Sequence, residues 1–465
     1  MLGPVALALL VAGLVGCEPD PTVSTLERPA DPVVVSGADL PRLQGIAPGR
    51  LVAFRVTASG WDQVPVQVDE RLDTTMAAVY NLPANTFGSS LAIPVTVYAD
   101  PSTFVGADPD PGLDADDEIA FMARDAGGAA AAGTAPPAGT VGGGVQVRVT
   151  DPLQAGSAGY VYLYQSDGSL DPGAGAHYVG YAFSLASGDY RTTYRRTAGP
   201  NPEDSTVTGG SYTMHFADRW LIDRLTLTHG DRPGVDLADR MKYRVVPGQC
   251  VRSEDTFDAG EGAFIVNKVG PVRALRSYVG ANSGPNTQAT HAFYDARIDS
   301  TIDLRVHSLP GVAAYLDLGR QAFGMSFRNP QLPGGVTVDG TPDAVPASTP
   351  TWWTFTGPQG VLGSGLTVDT DTGAPSATWY EDDLTPSTTQ CTGDAEAVGE
   401  AGARFGDGSL ACTDPGLLAS NPDCGHHFRS RQSLVAAPAG VDPAIIQRWS
   451  EQARTPLATS LTAFG

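Results

Sequence analysis

The sequence predicts an all-β protein of two β-sandwich domains, the second larger, with few short helices. Three observations carry this prediction. Short Val-rich runs recur, among them VVVSG, LVAFRVT, VPVQVDE, IPVTVYA and VQVRVT, bounded by Gly, Pro, Asp or Ser. Several alternate with period two, the pattern of a strand with one face buried and one solvated. Turn formers are dense, with 55 Gly and 37 Pro in 465 residues, and no fixed-period repeat suggests a solenoid or propeller. Length adds to this, since 465 residues exceed what a single hydrophobic core serves.

Residues 1–16 read as a lipoprotein signal peptide. An apolar run from Val5 to Val15 is too short for a permanent membrane span but suits a signal segment, and it ends in Leu14-Val15-Gly16-Cys17. On this reading Cys17 is lipidated and anchors the chain to a membrane. The opening Met1–Pro4 departs from the pattern in lacking Lys or Arg. Glu18, rather than Asp, follows the cysteine, which points to the outer membrane or cell surface. Residues 17–32, rich in Pro and charge, are expected to form a flexible tether.

The first sandwich is placed at 33–165, with AGGAAAAGTAPPAGTVGGG (126–144) as a long flexible loop. Its most chemical stretch is DPDPGLDADDE, which holds Asp108, Asp110, Asp114, Asp116, Asp117 and Glu118 with no Lys or Arg among them. Carboxylates so close repel one another, and a divalent cation relieves that repulsion. Calcium takes six to eight oxygens from such loops, so a structural Ca²⁺ site is expected here. The spacing is not that of an EF-hand, since Gly112, Leu113 and Ile119 fall on defining positions. A solvated acidic turn is the alternative. A second acidic stretch, TVDTDTG with Asp369 and Asp371, reads as a plain turn. Tyr160, Tyr162 and Tyr164 form a period-two row suited either to core packing or to stacking on sugar rings.

The second sandwich is placed at 166–465. In RMKYRVV, Met241, Tyr243 and Val245 oppose Arg240, Lys242 and Arg244; in IDLRVHSL, Ile302, Leu304 and Val306 oppose Asp303, Arg305 and His307. The segment THAFYDARIDS, if extended throughout, sets His291, Asp295 and Arg297 on one face, a candidate carbohydrate-binding trio. Adjacent Trp352 and Trp353 would point to opposite faces, leaving one exposed. Cys250, Cys391, Cys412 and Cys424 read as two disulfides of unknown pairing in a disulfide-rich C-terminal segment. Zinc held by these cysteines with His426 and His427 is the alternative, weakened by the absence of a C-x-x-C pair. The one clear helix is DPAIIQRWSEQAR, with Asp442 as N-cap, Pro443 in the first turn and Ile445 and Trp449 paired at i,i+4.

A net charge of −22, with 51 acidic residues against 29 basic, excludes nucleic acid as a main partner. No G-x-S-x-G, H-E-x-x-H, Walker A or G-x-G-x-x-G motif supports a common hydrolase, zinc-protease or nucleotide-binding template. At VPVQVDE, LDADDEIAFMARDAG, GPVRALRSYVGANSG and THAFYDARID the chain resembles an uncharacterised family of exported bacterial lipoproteins, itself distantly similar to galactose-mutarotase-like β-supersandwich proteins. The resemblance implies a supersandwich-like second domain and a tilt toward carbohydrate, and transfers no catalytic residue. The expected function is therefore a lipid-anchored envelope protein with a calcium-stabilised sandwich that binds glycan. A lyase-like enzyme and a purely adhesive module are the alternatives.

Overall fold

The computed structural model describes residues 23–85, 91–186, 202–228, 234–245, 250, 253, 262–281, 284–305, 311–370, 376–386, 388–391, 395–406 and 427–465. The fold is all-β, built of antiparallel sheets packed face to face. The signal peptide, Cys17, Asp371, His307, Cys412, Cys424 and His426 lie outside the described residues.

The first sandwich packs a three-stranded sheet on a five-stranded one. The small sheet orders Pro32–Ser36, Glu118–Met122 and Gln67–Asp69; the larger orders Ala458–Phe464, Thr140–Thr150, Ala158–Ser166, Leu51–Thr57 and Gly60–Val64. Alternation decides the core: Val33, Val35, Ile119, Phe121, Val145, Val147, Val149, Val161 and Leu163 all face inward and are buried. The unit is not a contiguous 33–165, because Ala458–Phe464 returns from the far end of the chain to pair with Thr140–Thr150.

Two expected flexible segments are ordered. Residues 23–31, assigned to the tether, are held by Arg28, which is buried and pairs with Asp31 and Asp151 while donating to the Gln452 carbonyl at 2.6 Å. The Gly- and Ala-rich stretch after Ala126 lies over the tyrosine row, with Ala130 N–H on the Tyr162 hydroxyl at 2.6 Å and the Trp61 indole on the Ala135 carbonyl at 2.7 Å. Gly144 shows why small residues are needed there: a Cβ would sit 2.4 Å from the Tyr164 ring. Tyr162 and Tyr164 are fully buried in a cluster with Phe54, and the partly buried Tyr160, Trp61 and Phe464 pack against it, so the row is core packing.

The second unit is larger, as expected. A nine-stranded sheet runs in the order Ala263–Val269, Ala274–Ala281, Gly284–Phe293, Arg297–Arg305, His427–Ala437, Gly360–Thr370, Trp352–Gly357, Ser326–Asn329, Leu332–Thr337. Two four-stranded sheets accompany it: Ala238–Val245, Val312–Leu318, Ala397–Phe405, Ser376–Asp383, and Val179–Ala182, Ser205–Gly209, Tyr212–Phe216, Ile222–Leu227. Trp220, Met241, Tyr243, Tyr278, Leu304, Leu316, Phe405 and Phe428 join one core. Both Trp352 and Trp353 are buried, so neither is the exposed aromatic expected. Arg240, Lys242 and Arg244 do not face water as a solvated stripe: Lys242 is fully buried between Asp317 (3.0 Å) and Glu400 (2.6 Å).

An inserted hairpin, Arg71–Thr75 with Pro94–Tyr98, leaves the first sandwich and buries Val95 and Val97 in the second core, along with Met76, Val79 and Tyr80 of the short helix Met76–Tyr80. The units are further joined by a buried ion network. Arg273 bonds Asp69 and Glu118 at 2.7 Å each, and Lys268 reaches Asp69 at 3.1 Å. Burial opposes ionisation of Asp69, but Arg273 and Lys268 outweigh it and hold the carboxyl below its usual range. The helix Pro443–Ala453 forms as expected, its Asp442 side chain accepting from Ala444 N–H at 2.8 Å, and it packs chiefly through Ile446 against Val361, Val435 and Ala437.

Candidate functional site

Cross-strand register places a polar surface on one face of the nine-stranded sheet. Directly opposed residues share a face. Ser277, Thr290, Thr301, Arg431 and Thr367 therefore make one row across five strands. Two residues along, Gln288, Asp303, Arg429 and Asp369 make a second row on the same face. The inserted hairpin closes one side with Arg71, Thr96 and Tyr98, and Glu118 lies at its base. The result is an open cleft of about 450 Å³.

Its chemistry is that of donors and acceptors rather than apolar walls. Ser277 and Thr290 hydroxyls meet at 2.8 Å, and the Gln288 amide donates to Thr290 at 3.3 Å. Arg429 pairs with Asp303 at 2.6 Å and Arg71 with Glu118 at 2.9 Å. Glu118 also accepts from Arg273 and from the Tyr98 hydroxyl at 2.8 Å. Burial opposes its charge, yet Arg273 and Arg71 prevail and keep it ionised below the usual carboxylate range. The Arg431 guanidinium donates to the Ala453 carbonyl at 3.1 Å, at the C-terminal end of the helix Pro443–Ala453.

The expected trio does not form. The segment is not extended throughout: Gly284–Phe293 and Arg297–Arg305 are separate strands of a hairpin, closed by the Tyr294 N–H on the Arg297 carbonyl at 2.8 Å. The turn redirects each side chain. His291 is buried on the face opposite the cleft, between the Tyr278 hydroxyl (3.0 Å) and Ser300 (2.8 Å), with its ring stacked on Phe293. Burial, and then the nearby Arg276 charge, push its pKa down to about 3, so it is a neutral core imidazole. Asp295 pairs with Arg124 at 2.6 Å outside the cleft. Arg297 is buried and pairs with Asp299 at 2.8 Å and Asp31 at 3.4 Å.

The acidic loop is built as a folded turn pinned to the segment 37–46. Gly37 N–H bonds the Asp117 carbonyl at 2.9 Å, and a Cβ on Gly37 would lie 1.7 Å from the Asp114 carbonyl oxygen. Leu113, fully buried, exchanges backbone bonds with Gly45 and Ile46. Of the six expected ligands, Asp114, Asp116 and Asp117 come together, with one oxygen of each within 4.8 Å of the others. Asp108 stands near them with one buried oxygen that has no hydrogen-bond partner. Asp110 is exposed and accepts from Gly112 N–H, and Glu118 turns away into the Arg273 network. Burial, aided by the Asp114 hydrogen bond and charge, pushes Asp116 up to about 7. Glu70, Asp108 and Asp117 are raised for the same reasons, burial first and neighbouring carboxylates after. Three carboxylate oxygens gathered in this way are the donor set that a hard cation takes.

Cys250 and Cys391 form a disulfide with Cα atoms 5.2 Å apart, so this pair is not available to zinc. Asp369 sits in a strand and lines the cleft rather than a plain turn. Sequence reasoning missed the cleft residues Arg429 and Arg431, although Phe428-Arg429-Ser430-Arg431 alternates and puts both cations on one face.

No family model matches the chain, and no curated protein matches it. Among solved structures, the chain is similar to a crystal structure from Escherichia coli K12 described as a "putative aldose 1-epimerase". The two share 11% identity with a TM-score of 0.25, over 55% of this chain and 99% of that one.

Proposed function

We propose that this chain is an exported, lipid-anchored cell-envelope protein that binds carbohydrate in the cleft of its nine-stranded sheet. The observation that carries the reading is the cleft's lining. Side-chain hydroxyls, an amide, guanidinia and carboxylates share one concave face, which suits a ligand that is itself a dense array of hydroxyls. The reading is binding rather than turnover, because two of the cleft carboxylates, Glu118 and Asp303, are held in ion pairs with arginines.

Export is supported by the Val5–Val15 run ahead of Cys17 and by the Cys250–Cys391 disulfide, a bond typical of oxidising compartments. Calcium at Asp114, Asp116 and Asp117 would neutralise the loop and stiffen the entry to the strand Glu118–Met122, whose first residue lines the cleft. The test is a glycan array probed with soluble protein in calcium buffer, alongside Thr290→Trp, which fills the cleft. Saccharide binding lost in Thr290→Trp supports the reading. Binding unchanged in that variant, or no binding by either protein, contradicts it.

A further inference from the structure

We propose that the cleft's ligand is an acidic saccharide, and that Arg431 receives its carboxylate. This rests on the carbohydrate reading above and adds the charge of the ligand. The other two cleft arginines already hold carboxylates, Arg71 with Glu118 and Arg429 with Asp303. Arg431 differs. Its hydrogen bond is to a neutral carbonyl, that of Ala453, and among the described residues no carboxylate lies within ion-pair distance of it.

Arg50 and Arg454 also donate to backbone carbonyls, those of Ser166 and Leu366, but neither lines the cleft. Acidic residues outnumber basic ones 51 to 29, and the buried guanidinia of Arg28, Arg273, Arg276 and Arg297 each have a carboxylate partner. Among the acids one row from Arg431 on this face, Asp299 is committed to Arg297 at 2.8 Å and Asp303 to Arg429 at 2.6 Å, and Arg431 acts on Asp299 only as a secondary charge. A half-buried guanidinium with donors to spare is a carboxylate receptor, since its planar fork matches two carboxylate oxygens. The register supplies the rest of the subsite. Thr301 and Thr367 flank Arg431 directly on the neighbouring strands, and Gln288 lies one row away. Hydroxyls and an amide around a cation suit a uronate, which carries ring hydroxyls beside its carboxylate.

The experiment is titration calorimetry of the full soluble chain with a paired panel: oligomers of galacturonate, glucuronate and mannuronate, each against its neutral hexose counterpart. A small dicarboxylate, malonate, is run as well. At least one uronate oligomer is expected to bind about tenfold or more tightly than its neutral partner, as a charge-assisted pair provides. Arg431→Gln should bring the two within about twofold, and Arg431→Lys should restore part of the difference. Thr301→Val, which keeps the cation, should weaken the uronate while preserving its preference, and guards against misfolding of the arginine variants. Equal affinity for uronate and neutral partner overturns the acidic-ligand proposal and leaves the carbohydrate reading standing. Malonate binding as tightly as any uronate overturns it too, by showing a carboxylate site with no saccharide. No binding of any saccharide overturns both.

Discussion

At the residue scale, buried charges divide into those that fix the fold and those that face a ligand. Arg276 is fully buried, paired with Glu203 through two 2.8 Å bonds and covered by the ring of Phe216 at 4.1 Å. Removing one partner of such a pair strands a charge, so Arg276→Met should cost about 3–5 kcal/mol in urea unfolding. His291 behaves differently because it is buried neutral. Its pKa in the fold is about 3, against 6.5 for the free side chain. The unfolded chain therefore takes up a proton that the fold refuses, and stability falls as pH drops from about 6.5 toward 3. Urea midpoints for wild type and His291→Gln should show a shallower acid loss in the variant. His291 was legible in the sequence as a residue on a strand, but its side was not. A turn at Tyr294–Ala296 breaks the period-two count, and no local signal short of the hairpin's long-range pairing reveals it.

At the element scale, the acidic loop and the disulfide make separate predictions. In chelator, carboxylates raised in the fold bind protons that the unfolded chain has lost. Their contribution is present below about pH 4 and is lost as pH rises through about 7, the value for Asp116. Thermal unfolding in chelator should accordingly show a stability loss across pH 4–7. Calcium should reverse that loss at neutral pH, and Asp116→Asn should weaken both effects. The Cys250–Cys391 bond closes a sequence separation of 141 residues, and reducing it should lower stability by about 2–5 kcal/mol in denaturant titration. The loop was legible as a carboxylate cluster because it is local in sequence. Glu118 was wrongly grouped with it, since its partner Arg273 lies 155 residues away and only the fold brings them together. The helix Pro443–Ala453 was legible in its extent, because the Asp442 cap and Pro443 are local signals, but its packing residue is Ile446 rather than the expected Ile445.

At the scale of the whole molecule, the two sandwiches and the greater size of the second were readable from alternation and turn density. Their boundaries were not, because the hairpin Arg71–Tyr98 crosses into the second core and the final strand Ala458–Phe464 completes the first sheet. The cleft is a product of this crossing. Its floor comes from five strands of one sheet and its side from a hairpin belonging to the other unit, so no single stretch of sequence announces it. The central claim is that this cleft binds saccharide, and the most direct test is a binding isotherm for one array-selected oligosaccharide on wild type and on Thr290→Trp. We expect saturable binding by wild type and at least a tenfold weaker isotherm, ~1.4 kcal/mol or more, for Thr290→Trp with an unchanged unfolding temperature. Equal isotherms for the two proteins would place the ligand elsewhere and contradict the account.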